Sequence, residues 1–489
     1  MIDEVKNLAK HVSTYTLGNV LSKVVGFLMI PLYTRYLTPA DYGLLELLTL
    51  TSSVLSMLIG LRLSSALVRF YSESADEAKR NTLVATIVGL MLLMSTGSAA
   101  LLSLGSPLVS QAVLGDREHG IHFVFVFISL AFELLLSVGY TYLRVVEKSG
   151  LYVAVSLAQL ALGLSLNILF IAGMQWGVWG ILTSMVLSNG LIALLLLIYT
   201  LRRVGLKIRL DDVPRLMRFT LPLIPAGLLI FVLNMGDRFL LGRLTSLDAV
   251  GLYSLGYKFG MILSVFVGEP FILAWTVRRV DIYKNRSDRD LIFARVPTYF
   301  VAALSFAGLG ISMFAPEMLR LVATPEFWPA ASVVPWVVIG YAFYILYFVA
   351  DFGFFIHSKT LWYPVISGSS AAVNVLLNLI LIPRFGVLGA AITTAISFFV
   401  CLAITYFASQ KYHPIHYEFG RMAKLLTVAT VLYLVGRLVF PSASLLSAFP
   451  KALLLGSFPL LVVLTGFFEP GEVAKAKALW SQRWSVSRQ

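Results

Sequence analysis

The stretch Val178-Trp179-Gly180-Ile181-Leu182-Thr183-Ser184-Met185-Val186-Leu187-Ser188-Asn189-Gly190-Leu191-Ile192-Ala193-Leu194-Leu195-Leu196-Leu197-Ile198-Tyr199-Thr200-Leu201 carries no charged residue and stops at Arg202-Arg203. At roughly 1.5 Å per helical residue, such a run crosses the ~30 Å hydrocarbon layer of a bilayer. A basic pair closing an apolar run marks its cytoplasmic end, and Trp176-Gly177 ahead of it supplies the turn. The chain around this stretch has the same character. Of 489 residues, 58% are apolar and only 13% are Asp, Glu, Lys or Arg, against roughly 45–50% and 25% in soluble domains. The mean hydropathy is +0.85. A soluble fold with so little charge could not cover its own surface.

Apolar runs bounded by charge, Pro or Gly predict an all-α polytopic membrane protein of about fourteen spans. They fall near 12–34, 42–68, 82–104, 121–143, 151–173 and 178–201, then 219–240, 250–275, 294–315, 331–355, 361–382 and 387–409, with a last pair at 422–440 and 451–468. The connections are short, which leaves no room for a sizeable soluble domain. Cys401 is the only cysteine, so no disulfide framework exists. Met1-Ile2-Asp3-Glu4-Val5-Lys6 has two acids before the first apolar run and does not read as a cleaved signal peptide.

The net charge of +13 is mostly topology. With the N-terminus cytoplasmic, 27 of the 38 Lys and Arg fall on inside segments, eight on outside segments, and Lys23, Arg62 and Lys258 within spans. The bias predicts both termini in the cytoplasm of a bacterial plasma membrane, with the basic loops and the tail 470–489 on anionic lipid and no nucleic acid as partner.

The sequence also repeats itself. Leu37-Thr38-Pro39-Ala40-Asp41-Tyr42-Gly43-Leu44 is echoed about 207 residues later by Leu244-Thr245-Ser246-Leu247-Asp248-Ala249-Val250-Gly251-Leu252. Trp176-Gly177-Val178-Trp179-Gly180 is echoed by Phe385-Gly386-Val387-Leu388-Gly389. Six spans per copy give two parallel repeats related by an axis along the membrane normal, a transporter plan with a mid-membrane site. The expected organisation is an N-lobe over 1–209, a C-lobe over 210–412, and a C-terminal helix pair with a basic tail over 413–489. That Gly-aromatic-Gly turns simply suit short hairpins is the alternative to this duplication.

The opening Thr16-Leu17-Gly18-Asn19-Val20-Leu21-Ser22-Lys23-Val24-Val25-Gly26-Phe27, continued by Ile30-Pro31-Leu32-Tyr33-Thr34-Arg35-Tyr36-Leu37-Thr38-Pro39, resembles that of Wzx-type polysaccharide flippases. Their superfamily also holds lipid II flippases and multidrug and toxin extruders. Pro222-Leu223-Ile224-Pro225 and the stretch 385–390 are similar to the same group. The resemblance extends over nearly the whole chain in span number and order. It implies a two-lobed bundle around an aqueous central cavity. The implied activity is transfer of an undecaprenyl-pyrophosphate-linked oligosaccharide from the cytoplasmic to the outer leaflet, for O-antigen, capsule or exopolysaccharide synthesis. Polysaccharide polymerase and glycosyltransferases would be its partners.

Charges inside a membrane are functional candidates by default. Lys23 shares a face of the first span with Asn19 and Gly26. Arg62 lies toward the cytoplasmic end of the second, and Lys258 in the eighth. Lipid II flippases use basic residues on their first, second and eighth helices, so the resemblance carries to Lys23, Arg62 and Lys258, with Asn19 beside them. A pyrophosphate requires such cations. Arg62 snorkelling to inner headgroups is the bland alternative. Glu46, Glu133, Glu269 and Asp351 are candidates for binding a coupling proton or sodium ion, or for balancing a base. Asp237 and Arg238 read as a headgroup or gate contact, and the crowded Tyr341, Tyr344 and Tyr347 as core packing. No catalytic residue, metal site or other cofactor is predicted. The chain has no Gly-x4-Gly-Lys-Ser/Thr motif, so the membrane potential or an ion gradient is the expected driving force. The rival readings are a multidrug-type exporter of the same superfamily and, further off, a membrane polymerase or ligase, for which the outside loops are short.

Overall fold

The computed structural model describes residues 26–74, 76–441 and 445–472. They form helices throughout, with no strand among them. This is what a bilayer demands, because a helix satisfies its backbone hydrogen bonds within one segment. Among the described residues, twelve helical stretches are long and apolar enough to cross a membrane; most of the expected first span, 12–34, lies outside them. Leu93, Leu101, Leu104 and Leu438 lie 70%, 73%, 85% and 78% exposed on these stretches, as expected of side chains that face lipid. The protein is a multi-pass membrane protein.

After α1 (Ile30–Tyr36), the second span is α2 (Pro39–Ile59) followed by α3 (Leu63–Glu73). Thr38 caps α2: its hydroxyl accepts from Asp41 N–H while Asp41 accepts from the Thr38 backbone, with Pro39 as the first helical residue. The third span is α4 (Glu77–Leu104), capped by Asp76. Then come the short α5 (Ser106–Val113) and the spans α6 (Gly120–Val145), α7 (Ser149–Ile168, extended by a π turn over Leu169–Gly173) and α8 (Gly177–Val204). The amphipathic α9 (Val213–Thr220) leads into α10 (Leu223–Leu244) and α11 (Leu247–Gly260). A π turn at Ser264–Gly268 joins α11 to α12 (Glu269–Asn285). The remaining helices are α13 (Arg289–Val322), α14 (Val334–Ala350), α15 (Phe352–Ile356), α16 (Trp362–Gln410), α17 (Phe419–Val439) and α18 (Leu445–Leu464).

The 49 residues of α16 would measure about 74 Å as one rod, more than two bilayer cores. The chain instead breaks at Gly386 (φ 54°, ψ −127°). A Cβ built on Gly389 would overlap the Leu381 carbonyl oxygen and lie 3.0 Å from Ile382 N. A straight helix brings no such atoms together, so the two arms fold back on one another as the sequence predicts. The same device joins α7 to α8. Gly177 has φ 55°, and a Cβ on Gly180 would meet the Phe170 backbone at 3.2 Å. The two glycines of each repeat echo therefore do the same two jobs, one supplying positive φ and the other admitting a neighbouring backbone.

Internal contacts divide the chain into two compact units. One comprises the described residues through Ser254 with Val322–Phe327 and Ser367–Ala390; the other comprises Leu255–Leu321, Trp328–Ile366 and the described residues from Ala391 onward. In the first unit, Leu63, Leu67, Ile87, Leu130 and Leu196 centre a core of α3, α4, α6 and α8. In the second, Val301, Met313, Leu425 and Phe458 tie α13 to α17 and α18. Within the first unit, α2 and α11 cross at Gly43 and Gly251. A Cβ on Gly43 would overlap Leu247 O, and one on Gly251 would overlap Pro39 O. The contact is reciprocal between repeat-equivalent positions, the signature of a two-fold relation.

Candidate functional site

The sequence turns from helix to helix at Gly60-Leu61-Arg62. No proline breaks the span here. Leu61 and Arg62 instead adopt left-handed backbones, φ 45° and 53°, which cost L-residues roughly 1–2 kcal/mol each. Consecutive strain of this kind in a membrane helix is a pointer to function. Arg62 is exposed and stands at the cap position of α3, where no side chain bonds the helix amides. Its guanidinium lies over Gly227 of α10, where an added Cβ would come 2.6 Å from Nη2. A cation thus stands beside an uncapped helix N-terminus, which carries a partial positive charge of its own. Two like potentials at one point favour an anion there.

Lys23 and Asn19 lie outside the described residues. Lys258 is half-buried on α11 and engaged by neighbours. Glu269 is exposed and also engaged, at the start of α12 directly after the π turn.

Glu46 belongs to a buried polar cluster. Arg238 Nη1 donates to Asp237 Oδ1 at 2.8 Å and to the Asn234 carbonyl at 3.0 Å. The Tyr253 hydroxyl donates to Asp237 Oδ2, and Glu46 Oε1 lies 3.6 Å from Arg238 Nε. Asp237 and Arg238 are 1% and 2% exposed. A headgroup contact, one of the two roles read for them from their place near the end of a span, is not what the fold gives. Because α2 and α11 close over α10, the pair is internal, and each charge is retained by opposite charge and hydrogen bonds.

Asp351 is likewise internal, 4% exposed. It accepts from Arg279 Nη1 at 2.5 Å and from the Tyr363 hydroxyl at 2.9 Å. Arg279 reads in sequence as one of a run of loop cations, and only the fold reveals it as the partner of Asp351. Glu133, by contrast, is exposed on α6 and has no ion-pair partner among the described residues. Tyr341 and Tyr347 are buried, with Tyr341 packed edge-on to Tyr257 at 5.5 Å between ring centres, as core packing predicts. The buried amides Asn374 and Asn378, which bond each other at 2.9 Å, are absent from the residues singled out by sequence. Their i, i+4 spacing within an apolar span is the signal that could find them.

Two kinds of likeness to known proteins bear on this arrangement. Residues 8–276 match the polysaccharide biosynthesis protein family, and the chain belongs to that family. Its fold is similar to that of a lipid II flippase, MurJ, in an inward closed conformation: TM-score 0.72 at 13% identity, over 91% of this chain and 97% of that one. It is also similar to a multidrug resistance MATE family transporter in an inward-facing conformation, with TM-score 0.56 at 15% identity over 83% and 96% of the two chains. The Vibrio cholerae MATE transporter VcmN, in its bent form, gives TM-score 0.51 at 15% identity over 83% and 97%. No curated protein matches the sequence. The fold is therefore that of the flippase and exporter superfamily, and the family is one of polysaccharide synthesis.

Proposed function

We propose that this protein is a flippase for undecaprenyl-pyrophosphate-linked oligosaccharide repeat units, moving them from the cytoplasmic to the outer leaflet of a bacterial plasma membrane by alternating access of its two halves. The observation that carries this reading is Arg62, exposed in a strained break of a membrane helix at the N-terminus of α3, which no side chain caps. Diphosphate chemistry suits such a place: its oxygens accept from the guanidinium in the positive potential of the helix N-terminus. Lys23, Asn19 and Lys258 are the further cargo contacts proposed from the sequence. Membership of a polysaccharide synthesis family supplies the saccharide. A cation exporter of the multidrug type would be poorly served by a guanidinium presented in this way.

In this proposal both termini are cytoplasmic and no nucleotide or metal cofactor takes part. A pyrophosphate diester with about two negative charges leaves an inside-negative cell with a gain of about 4–5 kcal/mol per 100 mV, at roughly 2.3 kcal/mol per charge. A proton or sodium ion is the remaining candidate for coupling. Asp351 is committed to Arg279, Glu46 lies by Arg238 and Glu269 is engaged by neighbours, so Glu133 is the acid best placed for that role.

The test is a deletion strain assayed for lipid-linked repeat units. The expected result is their accumulation on the cytoplasmic leaflet with loss of surface polysaccharide, restored by the wild-type gene but not by Arg62→Ala or Lys258→Ala. Normal surface polysaccharide in the deletion strain would refute the proposal.

A further inference from the structure

The first unit contains a cavity of about 460 Å³ with no charged side chain among the described residues that line it. Its wall is a polar stripe on α7: Tyr152, Ser156, Gln159 and Asn167 stand at helical spacing on one face. No residue of α7 is buried, so the stripe keeps surface open to the cavity even though Tyr152 packs against Tyr140. Across from it a chain of hydrogen bonds links three helices. The Tyr140 hydroxyl on α6 donates to Gln159 Oε1 at 2.6 Å, Gln159 Nε2 donates to Asn189 Oδ1 on α8 at 2.9 Å, and Asn189 Nδ2 donates to Ser129 Oγ at 3.1 Å. The relay fixes the orientation of both amides. Each amide nitrogen keeps a second N–H beyond the one it spends in the relay. Asn167 Oδ1 is buried with no hydrogen-bond partner among the described residues, an arrangement that costs free energy unless a ligand or water supplies a donor.

The chemistry that fits is narrow. The described lining holds no Lys or Arg to select a phosphate, and no Asp or Glu to select an amine. Fixed amides present donors and acceptors together, as a polyol requires. Tyrosine rings add apolar faces with a hydroxyl at the edge. The volume lies within the ~300–1,000 Å³ range of small-molecule sites. We infer that this cavity is a saccharide subsite, which takes an uncharged sugar residue of the cargo while Arg62, which is not among the residues that line it, holds the diphosphate. The inference rests on the flippase reading and adds a separate site that reads the sugar.

The two readings fail differently. Full-length protein in nanodiscs is titrated with bare undecaprenyl pyrophosphate and with a panel of the same lipid carrying N-acetylglucosamine, N-acetylgalactosamine, glucose or galactose. At least one sugar-bearing probe is expected to bind more tightly than the bare lipid. Gln159→Ala and Asn189→Ala should each weaken that probe about fivefold to tenfold and leave the bare lipid unchanged. Tyr140→Phe, which keeps the ring and removes one donor, should weaken the same probe about fivefold with an unaltered melting temperature, separating recognition from folding. Equal binding of all probes by the wild type, or parallel weakening of bare and sugar-bearing lipid in the variants, would overturn the subsite alone. Binding of none of them would overturn the flippase reading and the subsite with it.

Discussion

Arg238 illustrates how single residues bear on this fold. Its guanidinium is 2% exposed and faces Asp237 and Glu46, with the Tyr253 ring 5.1 Å below it. Removing one partner from such a group leaves buried charge uncompensated, at a cost of roughly 3–5 kcal/mol. Arg238→Met should accordingly lower the melting temperature sharply and reduce membrane abundance, whereas Asp237→Asn, which keeps an acceptor, should cost less. Thermal unfolding in detergent decides this, and near-neutral Arg238→Met would refute the assignment. At Leu61 two effects oppose each other. Its φ of 45° suits glycine, but its side chain packs on the core around Leu63, so Leu61→Gly should recover only about 1 kcal/mol of the roughly 2–5 kcal/mol that Leu61→Ala loses, and remain below wild type. That Arg62 and Lys258 are membrane-embedded charges is legible from sequence, since charge within an apolar run stands out. The partners of Asp351 and Arg238 are not. Arg279 is 72 positions from Asp351, and nothing local announces such a pairing.

At the scale of elements, α2 and α11 are held together by backbone contact that only glycine permits. Ala at 43 or 251 would drive a methyl carbon into a carbonyl oxygen of the facing helix, so the helices must separate, at roughly 1–3 kcal/mol as in overpacked cores. Gly43→Ala and Gly251→Ala should each lower the melting temperature. The double variant should fall short of the sum, because one separation relieves both clashes; additive losses would show that the contacts are independent. Sequence periodicity locates the described spans well, including the hairpin at Gly386 that divides α16. It gives 42–68 as one continuous span, whereas the chain breaks at 60–62. Neither Leu61 nor Arg62 is a helix breaker by composition, and Gly60, which ends the preceding helix, is the one weak signal there. The π turns at 169–173 and 264–268 are equally invisible in sequence, because one extra residue in a turn leaves no mark on an apolar pattern.

For the whole molecule, the family is one of polysaccharide biosynthesis and the fold is like that of MurJ; on the proposed function, the driving force follows from the charge of the cargo. With about two negative charges moving outward, a potential of 100 mV, inside negative, should favour net export by about three orders of magnitude at equilibrium, from roughly 2.3 kcal/mol per charge. Proteoliposomes clamped at zero potential should therefore equilibrate the labelled lipid between leaflets, and those held inside-negative should accumulate it outside. If a sodium or proton gradient alone restores accumulation at zero potential, Glu133→Gln should abolish that restoration and leave the potential-driven part intact. The apolar composition makes the membrane class readable, while the sugar and the coupling ion depend on side chains that meet only in three dimensions.

The central claim is that intramembrane cations carry a lipid diphosphate across the bilayer. The most direct measurement is the flipping rate of labelled undecaprenyl-pyrophosphate-linked saccharide in proteoliposomes containing wild type, Arg62→Ala or Lys258→Ala, with protein content and melting temperature matched. The account predicts rapid flipping by the wild type and at least a tenfold loss in each variant. Undiminished flipping by both variants, or none by the wild type above empty vesicles, would contradict it.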